Sequence, residues 1–509
     1  MPDNLFIEGR PLPSPTPFLF SLIHLDPQGE KPLYWQIYAA LREAILTQHL
    51  QSGVRLPSTR DLATMLSVSR NTVVNAMNQL TVEGYLEVRP RSGTYVADDL
   101  PEALLHTAIE GNEKKKLLPS DNRALSQRGG KLALNLGAAK SRGGKHLAFS
   151  YNRPAIDEFP FHIWTRLINK EYRQSPLSLF RNNPQERAGY APLREAIATH
   201  LRVARAVQCD AEQVIIVSGS QQGLYLAAHT LLDPGDDVWI ENPNYLGARI
   251  AFLSAGANLI PVPIRKDGLD VAVGQNLSPS ARCAYTTPSH QFPLGYMMSL
   301  KTRLKLLDWA ENAGAWIIED DYDSEYRFSG HPVPALQGLD RNRRVIYLGT
   351  FSKVMFPNIR LGYIVVPPDL VDAFKAARFT IDTQSQNVVQ AAMTEFIVQG
   401  YFSRHIRRMR RLYAERYALL VAEAERILGD RLPLIQSNSG MHLIGWLPSG
   451  SDDQLIREKA DQHGVSVAAL SDYYLGDCPK PGLLMGFADT KPEDIRAGIN
   501  RLARVLDEL

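Results

Sequence analysis

The spacing of hydrophobic residues changes period along this chain, and each change marks a different kind of element. From Leu33 the run LYWQIYAALREAILTQ sets Leu33, Ile37, Leu41 and Ala44/Ile45 on one face, which predicts a helix. Helical spacing continues through RLPSTRDLATMLSVSRNTVVNAMNQLTVEGYLEVRPRSGTYV in two short pieces. Ser58 followed by Asp61 marks the first start, with Leu62, Met65 and Leu66 facing inward and a stop near Ser67–Val68. Ser69 caps the next helix, whose Val73, Val74, Ala76, Met77 and Leu80 face the same core. Extended segments, Tyr85–Val88 and Thr94–Val96, then flank RPRSG, predicting a β-hairpin wing with Arg89 and Arg91 at its tip. Two short helices joined by a tight turn form a helix-turn-helix, and the first turn of its second helix offers Arg70, Asn71 and Thr72. Those side chains suit base edges or phosphates in a major groove.

Beyond about Ser150 short, almost wholly apolar strands alternate with helices: VIIVS (214–218), DVWIE (237–241), CAYTT (283–287), AWIIED (315–320), VIYLG (345–349) and GYIVV (362–366). Strands without polar alternation are buried on both faces, so an α/β fold with a mostly parallel sheet and helical crossovers is predicted. The carboxy-terminal part is helix-rich. There HIRRMRRLYAERY sets Ile406, Met409, Tyr413 and Tyr417 on one stripe, and its arginines read as the solvated face. No internal repeat is visible.

Composition adds the partition. The chain has 509 residues, more than one ordinary domain. PLPSPTP lies in an amino-terminal arm (1–30), the helix-turn-helix spans 31–98, and the α/β domain occupies 149–509. Between them, 99–148 is polar and glycine-dotted, with nine Lys/Arg against four Asp/Glu from Pro101 to His146, and reads as a basic flexible linker. The formal charge is only +2, from 56 basic and 54 acidic residues, so any nucleic-acid surface must be local. Cys209, Cys283 and Cys478 lie far apart with no CxxC pair or secretory leader, which points to a reducing cytoplasm and to neither a disulfide scaffold nor a metal site. No apolar run approaches the roughly 20 residues that cross a bilayer.

The chemistry concentrates in GTFSKVMFPNIRLGY (349–363). Lys353 follows a buried strand amid small and hydroxyl residues. An uncompensated buried ammonium is expensive, so such a lysine has a lowered pKa or a covalent partner, as Schiff-base lysines do. In EDDYDSEY (319–326), Asp320 is the candidate to keep a pyridoxal phosphate ring nitrogen protonated, and Tyr322 to donate to the ring's phenolic oxygen. SGSQQGLYLAAHTLL (218–232) turns from strand to helix through small residues. That geometry aims N–H groups at a phosphate, placing Ser220 and Gln221 there with Thr350, Ser352 and Arg360. Tyr245, in ENPNYLGAR, is positioned to lie against the ring. TTPSHQFPLG adds a proline-rich turn after a strand.

In the amino-terminal part, LPSTRDLA…SVSRNTVVNAMNQLTVEGYL…SGTYV closely resembles the GntR-type winged helix-turn-helix. This implies that Arg55, Ser58, Thr59, Arg60, Ser69, Arg70, Thr72 and Gly93 approach DNA. The carboxy-terminal segments, in this order, resemble fold-type I aminotransferases. The two joined are similar to the MocR family of transcription regulators, including the GabR-type activators. The resemblance implies pyridoxal 5'-phosphate on Lys353, double-stranded DNA, a homodimer with RNA polymerase as a further partner, and an effector that is either pyridoxal phosphate itself or an amine or amino acid. Two positions depart from the aminotransferase pattern. His290, Gln291 and Phe292 occupy the turn that usually holds an asparagine bonded to the cofactor's phenolic oxygen, which makes His290 the expected cofactor contact there. Leu484 stands where a late arginine clamps the substrate carboxylate, with Arg249 or a basic residue of the linker as the stand-in. Losing that clamp removes orientation as well as charge. A ligand-responsive regulator is therefore expected, with no catalytic residue assigned. A working aminotransferase with an attached DNA-binding head is the alternative, and a cofactor-free dimerisation platform fits the retained Lys353, Asp320 and Arg360 poorly.

Overall fold

The computed structural model describes residues 31–47, 49–90, 92–98 and 147–508 apart from 181–185, 330–332 and 384, with scattered positions in 23–29 and 125–133. The expected arm and linker lie almost wholly outside the described residues. The chain divides into two compact units, Met1–Ala124 and Leu125–Leu509.

In the first unit α1 (Leu33–Leu46), α2 (Thr59–Met65) and α3 (Arg70–Val82) precede a hairpin of β1 (Leu86–Arg89) and β2 (Gly93–Val96). Ile37, Leu41 and Ile45 of α1 meet Leu62 of α2 and Val73, Ala76, Met77 and Leu80 of α3 in one buried core. The hairpin pairs Leu86 with Val96 and Arg89 with Gly93, and both Leu86 and Val96 join that core. The serines cap as their spacing predicts: the Asp61 N–H donates to Ser58 Oγ and the Thr72 N–H to Ser69 Oγ, each at 3.2 Å. Met65 is a correction. Expected inside, it is 44% exposed, because α2 ends there and the chain turns away at Ser67 with φ +54°. Leu33, Leu66 and Val74 are only half-buried.

The second unit is built on an eight-stranded sheet in the order β3-β10-β9-β8-β7-β4-β5-β6. Its strands are β3 (Val214–Val217), β4 (Asp237–Asn242), β5 (Asn258–Arg265), β6 (Gly268–Leu269), β7 (Cys283–Thr286), β8 (Trp316–Asp321), β9 (Val345–Thr350) and β10 (Gly362–Val365). Pairings among β5, β4, β7, β8 and β9 are parallel. β10 runs antiparallel to both β3 and β9. The cause is local: a parallel return needs a crossover of about a dozen residues or more, usually helical. Residues 351–361 instead make turns and a short 3-10 segment around Lys353. Because β10 is reversed relative to both neighbours, β3 and β9 point the same way. The carboxyl ends of β3, β7, β8 and β9 therefore open on one side of the sheet.

A smaller antiparallel sheet, β11-β13-β12, is formed by β11 (His442–Trp446), β12 (Ala468–Ala469) and β13 (Gly482–Gly486). The long helix Tyr401–Ile427 runs beside it, burying Ile406, Met409 and Tyr413 as expected and leaving Tyr417 half-buried. Its arginines need a correction. Arg416 is buried and donates to the Ala488 carbonyl, and Arg410 is half-buried against the Glu325 carbonyl.

Candidate functional site

At the shared carboxyl edge a cavity of about 150 Å³ is walled by Gly219, Ser220 and Gln221 after β3, Thr287 and Phe292 after β7, Asp320 at the end of β8 with Tyr322 just beyond it, and Thr350 at the end of β9 with Ser352, Lys353 and Arg360 in the loop that follows. Tyr245, Tyr285, Pro357 and Asn152 complete the wall. Ligands of open α/β sheets characteristically bind at this edge.

Lys353 reaches the cavity from the tight loop behind β9. Its Nζ donates to the Asn152 carbonyl at 3.1 Å, where the chain holds a left-handed turn with φ +66°. Burial pushes the amine down to about 8, against the pull of Asp323 and Asp320. Asp320 is held by the Tyr285 hydroxyl, which donates to Oδ2 at 2.9 Å, while its Oδ1 is buried with no hydrogen-bond partner. Burial raises this carboxyl to about 7. Only Asp320, of the acids in EDDYDSEY, faces the cavity. Glu319 accepts the N–H groups of Leu336 and Gln337, Asp321 pairs with Arg205 at 2.8 Å, and Asp323 lies 3.0 Å from His290.

The opposite end has a different chemistry. Gly219 takes φ +102°, which lets the chain turn from β3 into the helix Ser220–Leu231. The amino end of that helix, with Ser220 and Gln221, then shares the cavity wall with Thr350, Ser352 and Arg360. Gln221 Nε2 is tethered to the Gly247 carbonyl at 2.9 Å, and the Ser352 N–H donates to Thr350 Oγ1 at 3.2 Å. Ser352 Oγ is buried without a partner. Two orphaned polar atoms thus lie in one small cavity, an acceptor on Asp320 and a hydroxyl on Ser352. A group with a protonated ring nitrogen at one end and a phosphate at the other satisfies both, so these residues fit pyridoxal phosphate.

Tyr245 lines the wall, 5.8 Å from Phe292 in an edge-on pair, and burial pushes its phenol up to about 12. Tyr322 also faces the cavity. His290 stands behind it rather than on the wall, with Nδ1 2.9 Å from the Tyr322 hydroxyl. Gly440 makes room for that histidine: at φ +97°, an added Cβ would fall 2.1 Å from its ring. The Leu484 side chain is fully buried in an apolar cluster with Phe292, Ile444 and Tyr473 and is not on the cavity wall. The expectation that Arg249 replaces the clamp is corrected. Its guanidinium is committed to Asn244 and to the carbonyls of Tyr473 and Tyr474, off the cavity wall.

Sequence reasoning missed Asn152, Tyr285, Thr287 and Pro357. Tyr285 carried a usable signal, a hydroxyl inside an otherwise apolar strand. Asn152 carried none, since its backbone carbonyl does the work.

In the first unit Arg55, Ser58, Arg60, Ser69, Arg70 and Asn71 are exposed, while Thr59, Thr72 and Gly93 are half-buried. Arg70 Nε lies 3.4 Å from Thr59 Oγ1, tying the two helices at the face they share. Gly93, at φ +125°, lets Arg55 lie across the hairpin, where an added Cβ would be 2.9 Å from Nε. Arg89 is engaged locally, 3.3 Å from Glu87 and 3.6 Å from Asp98. Arg91 lies outside the described residues.

Among the described residues no cluster of His, Cys, Asp or Glu could hold a metal, and no helix is long and apolar enough to cross a membrane. Residues 176–502 match the family "Aminotransferase class I and II", and residues 33–96 match "Bacterial regulatory proteins, gntR family". The chain is 42% identical over 484 residues to the probable rhizopine catabolism regulatory protein MocR of Rhizobium meliloti, covering 94% of this chain and 95% of that protein. It is 31% identical to the HTH-type pyridoxine biosynthesis transcriptional regulator PdxR of Corynebacterium glutamicum, covering 93% and 96%. Among solved structures it is similar to the multiple substrate aminotransferase of Thermococcus profundus, with a TM-score of 0.68, 27% identity, and coverage of 75% of this chain and 97% of that one.

Proposed function

This chain belongs to the aminotransferase class I and II family, among the MocR/GabR-type transcription regulators that join such a domain to a gntR-family head, and from that premise we propose how it works. It is a DNA-binding transcription regulator dependent on pyridoxal phosphate, and Lys353 is the residue that holds the cofactor. When bound, pyridoxal phosphate supplies an aldehyde that condenses with amines and an electron-withdrawing ring. The protein's own residues prepare that event. Burial brings the Lys353 amine down to about 8, so the unprotonated, nucleophilic fraction near neutral pH is far larger than for an ordinary lysine, roughly a tenth of the total. Asp320, oriented by Tyr285, supplies the carboxylate for the ring nitrogen. Ser220, Gln221, Thr350, Ser352 and Arg360 cradle the phosphate, and Tyr245 covers the ring. His290 acts through Tyr322, fixing the direction of its hydroxyl.

The observation that carries this reading is the pair of buried, unpartnered atoms, Asp320 Oδ1 and Ser352 Oγ, in the cavity that also holds the lysine. The head supplies the output: two copies in a homodimer present two recognition helices to two half-sites, in the cytoplasm and within reach of RNA polymerase. The input is pyridoxal phosphate itself or an amine or amino acid that competes with Lys353 for it. Each changes the contacts around Lys353, and only such a difference in contacts can shift the equilibrium of the heads. Leu484 weighs against turnover as an aminotransferase, because the one guanidinium among the described wall residues, Arg360, is given to the phosphate and none is left to orient a substrate carboxylate.

The test is a titration of the DNA upstream of the gene with wild type and Lys353→Ala, each with and without pyridoxal phosphate. Wild-type affinity is expected to change on adding the cofactor, and the variant's to stay constant. Equal responses in both proteins would remove Lys353 from the switch.

A further inference from the structure

A second, larger cavity of about 300 Å³ is lined by Arg205, Ser289, Ser324, Glu325, Arg327 and Arg410 among others, Ser289 and Ser324 being the chain neighbours of the paired His290 and Asp323. Its volume is at the small end of ligand pockets. The charges in its wall are not matched to one another. Arg205 is fully engaged, donating to Asp321 at 2.8 Å and to Ser289 Oγ at 2.6 Å. Arg327 and Arg410 have no carboxylate at ion-pair distance among the described residues; Arg327 donates through Nη1 to the weak acceptor Met297 Sδ at 3.8 Å, and its Nε is buried without a hydrogen-bond partner. Arg410 donates through Nε to the backbone carbonyl of Glu325, not to its carboxylate. Glu325, for its part, has no cation at ion-pair distance among the described residues, and burial raises its carboxyl to about 7. Two guanidinium groups and an acid therefore share one cavity without neutralising each other. Unpaired charge in a partly dry wall is unfavourable, and a bound molecule bearing both complementary charges relieves it.

We infer that this cavity is a binding site for a small amino acid, separate from the cofactor cavity, with Arg327 and Arg410 taking its carboxylate, Glu325 its ammonium group, and Ser324 and Ser289 adding hydroxyl contacts. Guanidinium is the cation best shaped for a carboxylate. The site is wired to the cofactor cavity by short links. Arg205 holds Asp321, the neighbour of Asp320, and Ser289, the neighbour of His290, which in turn holds Tyr322. The inference stands without Lys353 chemistry, so the two can be separated.

The experiment is calorimetric titration of the full-length Lys353→Met variant without cofactor, using L-alanine, L-glutamate and L-lysine, each alongside its matched amine and matched carboxylic acid. At least one amino acid is expected to bind saturably, one per chain, as it does to the wild type. Arg327→Gln and Arg410→Gln should each weaken it by about tenfold or more. Glu325→Gln should weaken the amino acid while sparing the matched carboxylic acid. Circular dichroism checks each variant's fold, and Ser324→Trp, which fills the cavity, serves where an arginine variant does not fold. No saturable binding by any of the three amino acids to Lys353→Met, or binding unchanged in the arginine and cavity-filled variants, overturns the assignment.

Discussion

The recognition turn of the head and the lysine cavity solve opposite problems with similar side chains. At the start of α3 the polar groups stand in water. Arg70 and Asn71 are exposed, and Ser69 already serves its own helix as a cap. In the cavity the polar groups are buried and incompletely satisfied, with a lysine held near 8, an aspartate near 7, and two atoms lacking partners. Exposed groups cost little in the free protein and yield their free energy only when DNA arrives, through contacts screened by salt. Buried ones hold the empty domain away from its best stability and release that penalty when a cofactor fills the site. Mutations of the exposed Arg70 and Asn71 should therefore change affinity with little change in stability, and mutations in the cavity should change both.

The largest expected effect tests the buried side. Burial lowers the folded-state pKa of Lys353 from 10.5 to about 8, so between those values the unfolded chain holds a proton that the folded chain has released. Stability of the cofactor-free protein then rises with pH across that window, by as much as about 3 kcal/mol in total, and below about pH 8 the dependence vanishes. Lys353→Met removes this contribution, so the wild-type minus variant difference from denaturant titrations should climb from pH 8 to 10.5. A flat difference would mean that the amine is solvated. Next is Asp320→Asn, which deletes the charged acceptor for the ring nitrogen. Pyridoxal phosphate affinity, followed by absorbance, should fall roughly 30-fold. Equal affinity would contradict the assigned orientation of the cofactor.

Legibility in the sequence divides along the same line. Strands β3, β4, β7, β8, β9 and β10 were visible as unbroken apolar runs, because burial on both faces leaves no polar alternation to obscure them. β5 was missed. Pro261 and Pro263 look like turn residues, yet at alternate positions both missing donors fall on one edge of the strand, where the ladder with β4 does not need them. The reversal of β10 follows from the length and turns of the lysine loop, which strand pattern alone does not report. Lys353, Asp320 and Arg360 could be found because each ends or follows an apolar strand. His290 was assigned to the cavity itself and stands behind Tyr322, since a turn's composition does not say which of its side chains points inward. The unmatched charges around Glu325 and Arg410 were invisible, because Arg410 sits in a helix whose arginines otherwise read as solvated.

Two smaller effects test the exposed side. Arg70→Ala should weaken DNA binding about tenfold, leaving the cofactor's absorbance and the melting of the second unit unchanged. If Arg70 contacts phosphate, the loss will be uniform across sequences and the salt dependence shallower. If it contacts bases, discrimination at one position will relax. The smallest is Ser69→Ala, which removes the cap on α3. The head should lose about 1 kcal/mol of stability with no shift in cofactor affinity. A change in cofactor affinity from either substitution would erase the distinction between the two regions.

The most direct measurement is borohydride treatment of the purified chain after incubation with pyridoxal phosphate, followed by peptide mass spectrometry. A single phosphopyridoxyl adduct is expected on Lys353 and none on Lys353→Ala, with stoichiometry falling when a competing amine is added before reduction. Adducts scattered over surface lysines, with Lys353 unmodified, would contradict the account at its root.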